Sequence, residues 1–140
     1  MSNVTNMYAM FEYSKFNGDI SKWDVSSVTD MSSMFTGSEF NGDISKWDVS
    51  SVTNMWGMFW SSDFNGDISK WDVSSVTDMS YMFCESEVFN GDISQWEVSS
   101  VNDMEDMFDH SSFNGDISSW PNKMDPEYRY KLCRQISTKL

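Results

Sequence analysis

The chain is poor in the residues on which several protein classes depend. Its 140 residues include two cysteines, two prolines and a single histidine. Cys84 and Cys133 stand in different local contexts and neither recurs along the chain, so the sequence predicts no disulfide framework. No zinc-ligand spacing, H-E-x-x-H motif or phosphate-binding glycine loop is present. We therefore expect no bound metal and no cofactor.

Long apolar runs are also absent. The longest are a few residues, whereas a membrane helix needs about 20. The start of the sequence lacks the basic segment followed by an apolar one that is typical of an export signal. As the sequence is given, we expect no membrane segment and a cytoplasmic location.

Positive charge is scarce. Nine Lys and Arg residues stand against 22 Asp and Glu residues, which gives a net charge of -13. Residues 1–120 carry all of the excess negative charge, because the segment after them is basic. An acidic surface repels phosphate backbones and anionic lipids. We therefore expect neither nucleic acid nor membrane as a direct partner, and a protein partner with a basic surface fits better.

One sequence element is repeated along most of the chain. The motif F-N-G-D-I begins at Phe16, Phe40, Phe64, Phe89 and Phe113, at intervals of 24 or 25 residues. A fixed period of this length indicates stacked structural repeats. Aromatic residues make up 16% of the chain and there are 12 methionines, so each repeat can supply apolar side chains to a shared core.

The Trp-Asp-Val segment of each repeat predicts a short strand. Trp23 and Val25 alternate with Lys22 and Asp24, so the first pair is expected to point inward and the second outward. Equivalent strands are expected to form one parallel ladder at Trp23, Trp47, Trp71, Trp96 and Trp120. Its outward face would carry a lysine column (Lys22, Lys46 and Lys70) beside an acidic column (Asp24, Asp48, Asp72 and Glu97). The columns are either a recognition face or, as we favour, neighbours that neutralise each other.

The next segment predicts a short helical turn, α or 3₁₀, opposite the strand. Met31, Met34 and Phe35 fall at i, i+3 and i+4 and would share one buried face. Asn17 and Gly18 predict the turn that returns the chain to the next strand, with the glycine free to take a positive φ.

The full pattern V-T-[DN]-M-x-x-M-F-x-x-S-x-F-N-G-D-I-S-x-W-[DE]-V-S-S spans residues 4–120. It resembles the BspA-like leucine-rich repeats of bacterial surface proteins and the related lipoprotein repeat of cell-wall-less bacteria. The resemblance implies a curved solenoid with a role in adhesion or partner binding, at the cell surface if the chain is a fragment of a larger member. We therefore expect residues 1–121 to form a right-handed α/β repeat solenoid with a parallel strand ladder.

The two ends depart from the repeat. Pro121 replaces the acidic residue of earlier repeats, which suits an edge strand. Residues 122–140 follow the repeats, and within them 125–138 read as an amphipathic helix that caps the last repeat. The first strand, at 20–25, has no complete repeat before it. This uncapped N-terminal edge predicts a homodimer contact.

A second acidic column stands in the N-G-D turns. Its members are Asp19, Asp43, Asp67, Asp92 and Asp116. Stacked carboxylates of this kind can bind Ca²⁺, but an aspartate in a turn commonly accepts hydrogen bonds from nearby backbone amides instead. We favour local capping over a cation site.

Catalysis has little support in the sequence. Asp109, His110 and Ser111 have the residue types of a hydrolytic triad, but sequence neighbours do not take up that geometry. His110 is the single histidine, and we expect it to be solvated in a loop. The protein is predicted to be a non-enzyme.

The third repeat alone carries tryptophans at two outward positions of its turn. Trp56 and Trp60 stand four residues apart, and Tyr81 follows one repeat later. Exposed aromatic residues are typical of binding hot spots, yet the rings could equally fold over neighbouring repeats. Both interpretations stay open. The extra residue near Glu87 and Val88 is expected to shape the same region.

Two functions from different classes remain. The first is a protein-binding or adhesion module centred on Trp56, Trp60 and Tyr81. The second is a small acidic inhibitor whose carboxylates, Asp48 and Asp72 among them, imitate a nucleic-acid backbone and block a DNA- or RNA-binding enzyme.

Overall fold

The computed structural model describes residues 3–120. The repeats stack in register as five rungs, which begin at Val4, Val28, Val52, Val76 and Val101. Each rung is joined to the next by an isolated parallel bridge, in the order Asn6, Asp30, Asn54, Asp78 and Asp103. These bridges follow directly from the period, because equivalent residues of successive repeats lie opposite one another.

Backbone amides in each M-x-x-M-F segment alternate between two partners. In the second rung, the amides of Met31, Ser33, Phe35 and Gly37 donate to carbonyls of the third rung at 2.8–3.0 Å. The intervening amides of Met34, Thr36 and Ser38 donate three residues back within their own rung at 3.1–3.2 Å. Four of these amides therefore join rungs, and three close tight turns.

Two residues per rung adopt left-handed backbone conformations, with φ between 50° and 62°. The pairs are Ala9 and Tyr13, Ser33 and Gly37, Gly57 and Ser61, Tyr81 and Glu85, and Asp106 and His110. A left-handed residue cannot continue a right-handed helix. The prediction of a helical turn is therefore wrong, although Met31, Met34 and Phe35 are fully buried as expected.

The predicted strand at the Trp-Asp-Val segment is also wrong. A turn from Ile20 to Trp23 is closed by a backbone hydrogen bond of 3.1 Å, and a turn from Val25 to Val28 by one of 3.0 Å. Asp24 alone separates the two turns, so the segment is a corner and has no room for an extended strand. Alternation over three residues does not distinguish a corner from a strand.

Residues 3–120 contain no α-helix and no extended β-strand. The expected α/β repeat solenoid, with a parallel strand ladder on one side and helical turns opposite, is therefore incorrect. The rungs consist of turns, and the parallel bridges lie beside the M-x-x-M-F segments and not at Trp23, Trp47, Trp71, Trp96 and Trp120. No helix in the described part of the chain is long and apolar enough to cross a membrane.

The core consists of columns of identical side chains that run along the stack. Two phenylalanine columns have ring centroids 5.5–5.8 Å and 6.2–6.5 Å apart, with neighbouring planes within 13° of parallel. The first holds Phe11, Phe35, Phe59, Phe83 and Phe108, and the second holds Phe16, Phe40, Phe64, Phe89 and Phe113. Four corner tryptophans each donate Nε1–H to an isoleucine carbonyl of the preceding rung at 3.0–3.2 Å.

The glycine of each F-N-G-D motif serves a different purpose from the one predicted. Among the glycines, a positive φ is found at Gly37 and Gly57, both outside this motif. A Cβ at Gly18 would lie 2.7 Å from the Phe16 ring, and the equivalent distances in the other four motifs are 2.7–3.0 Å. Glycine is therefore required because the phenylalanine ring packs directly on its Cα.

The structure describes the N-terminal end of the stack but not the predicted C-terminal cap. Phe16, in the first F-N-G-D motif, is 37% exposed, whereas Phe40 and Phe64 are fully buried. The described structure contains a single chain, so a homodimer through this edge stays a prediction. The predicted capping helix at 125–138 lies outside the described residues.

Candidate functional site

The outward side of the M-x-x-M-F segments is the part of the rung where side chains vary most. At two positions the third rung has Trp56 and Trp60, each half-buried. The equivalent residues of the second and fourth rungs are small and buried: Ser32 and Thr36, and Ser80 and Cys84. The two indoles therefore have space above and below them along the stack.

The two indoles and Tyr81 form one aromatic cluster. Trp56 and Trp60 meet edge to face, with centroids 5.6 Å apart and planes at 73°. Trp60 stacks on Tyr81 at 5.0 Å and 20°, and Trp56 lies 5.7 Å from Tyr81. The rings pack on one another across two rungs and also keep part of their surface in solvent. Their role as a binding hot spot stays a prediction.

The backbone beneath the cluster is held by one hydrogen bond within the third rung and one from the second rung. Asn54 Oδ1 accepts the Trp56 amide at 2.9 Å, and Thr36 Oγ1 donates to the Gly57 carbonyl at 2.7 Å. Gly57 has φ +59°, and a Cβ there would lie 3.5 Å from the Trp60 ring. The positions of the indoles are therefore set by a rigid turn.

An aromatic cleft of about 250 Å³ opens beside the cluster. Its lining consists of Glu12, Tyr13, Ser33, Thr36, Trp56, Trp60, Ser61 and Glu85. Tyr13 belongs to the first rung, and its ring lies so close over Gly37 that a Cβ there would overlap it. Tyr13 is 74% exposed. Three aromatic rings and two carboxylates thus share one depression.

An acidic cleft of about 450 Å³ lies next to the aromatic cleft. It is lined by Ser61, Ser62, Asp63, Glu85, Glu87, Val88 and His110. Ser61 and Glu85 line both clefts, so the two form one continuous surface. Glu87 and Val88 belong to the segment that carries the extra residue, and the insertion therefore shapes this region as expected.

The charge around Tyr81 is negative. The carboxylate of Glu105 raises the pKa of Tyr81 above its usual value, and Asp106 adds to the effect. No lysine or arginine lines either cleft within residues 3–120. The surface can therefore attract cationic groups.

The turn aspartates act as local caps. Asp19 Oδ1 accepts the Ser21 amide at 2.9 Å, and the same contact recurs through the column. Hydrogen bonds from the serine hydroxyl and amide lower the pKa of all five column members: Asp19, Asp43, Asp67, Asp92 and Asp116. Within residues 3–120, no three His, Cys, Asp or Glu side chains are grouped so that they could hold a metal ion.

The remaining predicted site residues lie elsewhere. Asp48 and Asp72 are exposed on the tryptophan corners, where each accepts the amide and hydroxyl of the serine two positions later. Neither lines the clefts. The structure therefore brings Trp56, Trp60 and Tyr81 together and leaves Asp48 and Asp72 outside that group.

The lysine column lies near the turn aspartates. Lys22 lowers the pKa of Asp19 and Lys46 that of Asp43, and the pKa of Asp67 is lowered by Lys70 and, less, by Lys46. These effects are smaller than those of the serine hydrogen bonds. The lysines therefore offset part of the negative charge in the turns.

His110 lies at the acidic cleft, with Nδ1 3.4 Å from Asp109 Oδ1. Ser111 Oγ accepts the Phe113 amide at 3.3 Å. The Ser111 hydroxyl is thus engaged with the local backbone. The prediction that the protein is a non-enzyme stays a prediction.

Sequence reasoning did not assign a binding role to Tyr13, Glu12 or Glu85. Tyr13 and Glu85 occupy the second left-handed position of their rungs, which the sequence pattern does not mark. In the sequence, Gly37 was the residue that could have indicated Tyr13. A glycine at this position of the second rung leaves space for a large side chain of the first rung.

Comparison with known proteins places the chain in a family. No curated protein and no solved structure matches it. A family model described as "Mycoplasma protein of unknown function, DUF285" matches residues 1–64 and 38–137. The resemblance to BspA-like repeats concerns a different family label and stays a prediction. Because the two matches together span nearly the whole sequence, the chain belongs to the DUF285 family.

Proposed function

We propose that the protein is a non-catalytic module that binds a protein partner through the aromatic cluster of Trp56, Trp60 and Tyr81. The observation that carries the proposal is the packing of Tyr81, from the fourth rung, against the two half-buried tryptophans of the third, the one rung whose outward residues are both tryptophan. Half-buried aromatic side chains on a rigid base are typical anchors of protein interfaces.

The indoles are not required for stacking. The Ser33 amide donates to the Trp56 carbonyl at 2.8 Å, and the Gly57 amide donates to the Ser80 carbonyl at 2.9 Å. The same contact between rungs therefore forms whether the acceptor residue is tryptophan or serine. A role in partner binding explains the two indoles better than a role in folding.

The test compares binding by the wild type and by Trp56→Ser/Trp60→Thr. This double variant restores the residues of the second rung, Ser32 and Thr36. Proteins retained from an extract of the source cell are identified, and the affinity of each purified candidate is measured. We expect at least about tenfold weaker binding by the double variant, since truncated hot-spot residues cost about 2 kcal/mol or more.

Circular dichroism and thermal unfolding establish that the variant is folded. The matched control is Asp48→Asn/Asp72→Asn, which alters two exposed residues outside the clefts and should leave the affinity within about twofold. Equal affinity of the wild type and the tryptophan variant for every candidate would contradict the proposal.

A second candidate function is supported by the ordered carboxylates. Asp48 and Asp72 are held by hydrogen bonds at equivalent corners of successive rungs, and serine hydrogen bonds also lower the pKa of Asp72. Such rows of fixed negative charge would suit an inhibitor that occupies a nucleic-acid-binding groove.

The salt dependence of partner binding tests this second function. If the carboxylates imitate nucleic acid, binding should weaken steeply between 50 and 200 mM salt, and Asp48→Asn/Asp72→Asn should weaken it further. Binding that is independent of salt and unaffected by these substitutions would exclude mimicry.

A further inference from the structure

We propose that the aromatic cleft receives an arginine side chain of the protein partner. This inference rests on the proposed function, because it specifies the chemistry of the group that the same surface recognises. It is carried by the composition of the cleft, which combines aromatic faces with carboxylates in one depression.

The aromatic faces suit a flat cation. The indoles of Trp56 and Trp60 stand at 73° to each other, so the cleft is bordered by rings in two orientations. The exposed ring of Tyr13 lines the same cleft from the first rung. A guanidinium group stacks on such faces and gains cation–π energy, most strongly with tryptophan.

The charges favour a cation over a neutral apolar group. Glu12 and Glu85 line the aromatic cleft, and Asp63, Glu85 and Glu87 line the adjoining acidic cleft. No lysine or arginine within residues 3–120 lines either cleft to neutralise them. A bound cation therefore lies in a negative potential, and a basic partner segment can continue from one cleft into the other.

The geometry of the ligand favours arginine. The depression of about 250 Å³ has room for the planar end of such a side chain. Arginine can stack on a ring while its N–H groups form paired hydrogen bonds with a carboxylate, whereas the ammonium group of lysine is compact and more strongly hydrated.

The experiment uses the whole chain and three blocked pentapeptides, Ac-Gly-Gly-X-Gly-Gly-NH₂, in which X is arginine, lysine or citrulline. Citrulline has nearly the shape of arginine without its charge. Binding is followed by the NMR signals of the indole N–H groups. The signals of Trp56 and Trp60 are identified from those that disappear in the single variants Trp56→Ser and Trp60→Thr.

We expect the arginine peptide to shift the Trp56 and Trp60 signals and to leave the signals of the buried corner tryptophans unchanged. The citrulline peptide should bind at least about fivefold more weakly, which is the ratio that about 1 kcal/mol of cation–π energy provides. The lysine peptide should also bind more weakly than the arginine peptide. Equal binding of citrulline, or tighter binding of lysine, would overturn the proposal.

Two variants with the same change in charge separate local recognition from general attraction. Glu12→Gln/Glu85→Gln removes two carboxylates from the cleft, and Asp48→Asn/Asp72→Asn removes two from the corners. At 150 mM salt we expect the first variant to bind the arginine peptide about threefold to tenfold more weakly than the wild type. The affinity of the second variant should change less than twofold. Equal losses in both variants would show non-specific attraction and overturn the proposal.

The arginine site and the proposed function can be contradicted separately. If Trp56→Ser/Trp60→Thr loses the protein partner but the arginine peptide does not shift the indole signals, the binding role stands and the arginine site is wrong. If the double variant keeps the protein partner, the binding role itself is wrong, whatever the peptides do.

Discussion

The structure contains two kinds of tryptophan, and they differ in what surrounds them. One kind recurs at the same corner of every rung: Trp23 is partly buried there, and Trp47, Trp71, Trp96 and Trp120 are buried and each donate Nε1–H to an isoleucine carbonyl of the preceding rung. Trp56 and Trp60 lie on the turn side of a single rung and contact each other and Tyr81. The tryptophan that recurs in every rung packs in the core of the stack, whereas the two indoles of the third rung are not required for stacking.

Repeated and unrepeated residues also differ in position elsewhere in the rungs. At equivalent positions of the stack, the inward residues are nearly identical from rung to rung, because each must pack on its copies above and below. The outward turn positions range from serine to glutamate to tryptophan with the same backbone contacts. Variation between rungs therefore marks the positions where folding leaves the residue type free.

The largest effect is expected at a repeated position that is enclosed on both sides. Phe64 is fully buried and stacks between Phe40 and Phe89, so Phe64→Ala should lower the free energy of unfolding by about 3–5 kcal/mol. Phe16 has the same place in the first motif but is 37% exposed, and Phe16→Ala should cost about 1–2 kcal/mol. Urea denaturation measures both.

Equal losses for the two alanine variants would contradict this expectation. They would mean that Phe16 is enclosed in solution as Phe64 is, for example by a second copy of the chain at the N-terminal edge. Sedimentation of the wild type would then show a concentration-dependent dimer.

The next largest change in the free energy of unfolding is expected when a tryptophan of each kind is replaced by phenylalanine. Trp71→Phe removes the Nε1–H that donates to the Ile44 carbonyl at 3.1 Å and leaves unfilled space in a buried corner. We expect a loss of about 1–3 kcal/mol in the free energy of unfolding. Trp56→Phe keeps an aromatic ring at a half-exposed position and should cost less than about 1 kcal/mol. Equal costs would remove the distinction between structural and surface tryptophans.

The sequence was sufficient to predict the period, the stacking of the repeats and their inward residues. It was not sufficient to predict the backbone. Met31, Met34 and Phe35 are buried at the spacing of a helix, yet a run of tight turns with left-handed residues buries the same positions. Nothing in the residue type of Ala9, Ser33 or Tyr81 signals a positive φ, so the pattern could not separate the two conformations.

The sequence around the Trp-Asp-Val corner contains a turn pattern that is stronger evidence than the three-residue alternation that predicted a strand. The Asp-x-Ser pairs at 19–21 and 24–26 are typical of turns closed by an aspartate side chain, and both form here. For the site, Trp56 and Trp60 could be found because they interrupt the repeat. Gly37 was the one signal for Tyr13, and Glu12 had none, because its place at the aromatic cleft depends on how successive rungs lie on one another.

The smallest effect concerns the turn aspartates, which repeat in every described motif but lie in solvent. Hydrogen bonds from Ser45 and Ser69 lower the folded-state pKa of Asp43 and Asp67 below the ordinary value of 3.8. The unfolded chain therefore binds more protons near this pH. The stability that these groups contribute is present above the ordinary pKa and is lost as the pH falls through the folded pKa.

Asp43→Asn/Asp67→Asn tests this contribution. Asparagine keeps the side-chain oxygen that accepts the amide, as Asn6 and Asn54 do at the bridge positions, but it does not titrate. We therefore expect the melting temperature of the variant to fall less than that of the wild type between pH 4 and pH 2, at constant ionic strength. The two proteins should behave alike between pH 6 and pH 7, apart from a constant offset, because both aspartates are then fully ionised. Parallel curves down to pH 2 would show that the serine hydrogen bonds do not favour the ionised form.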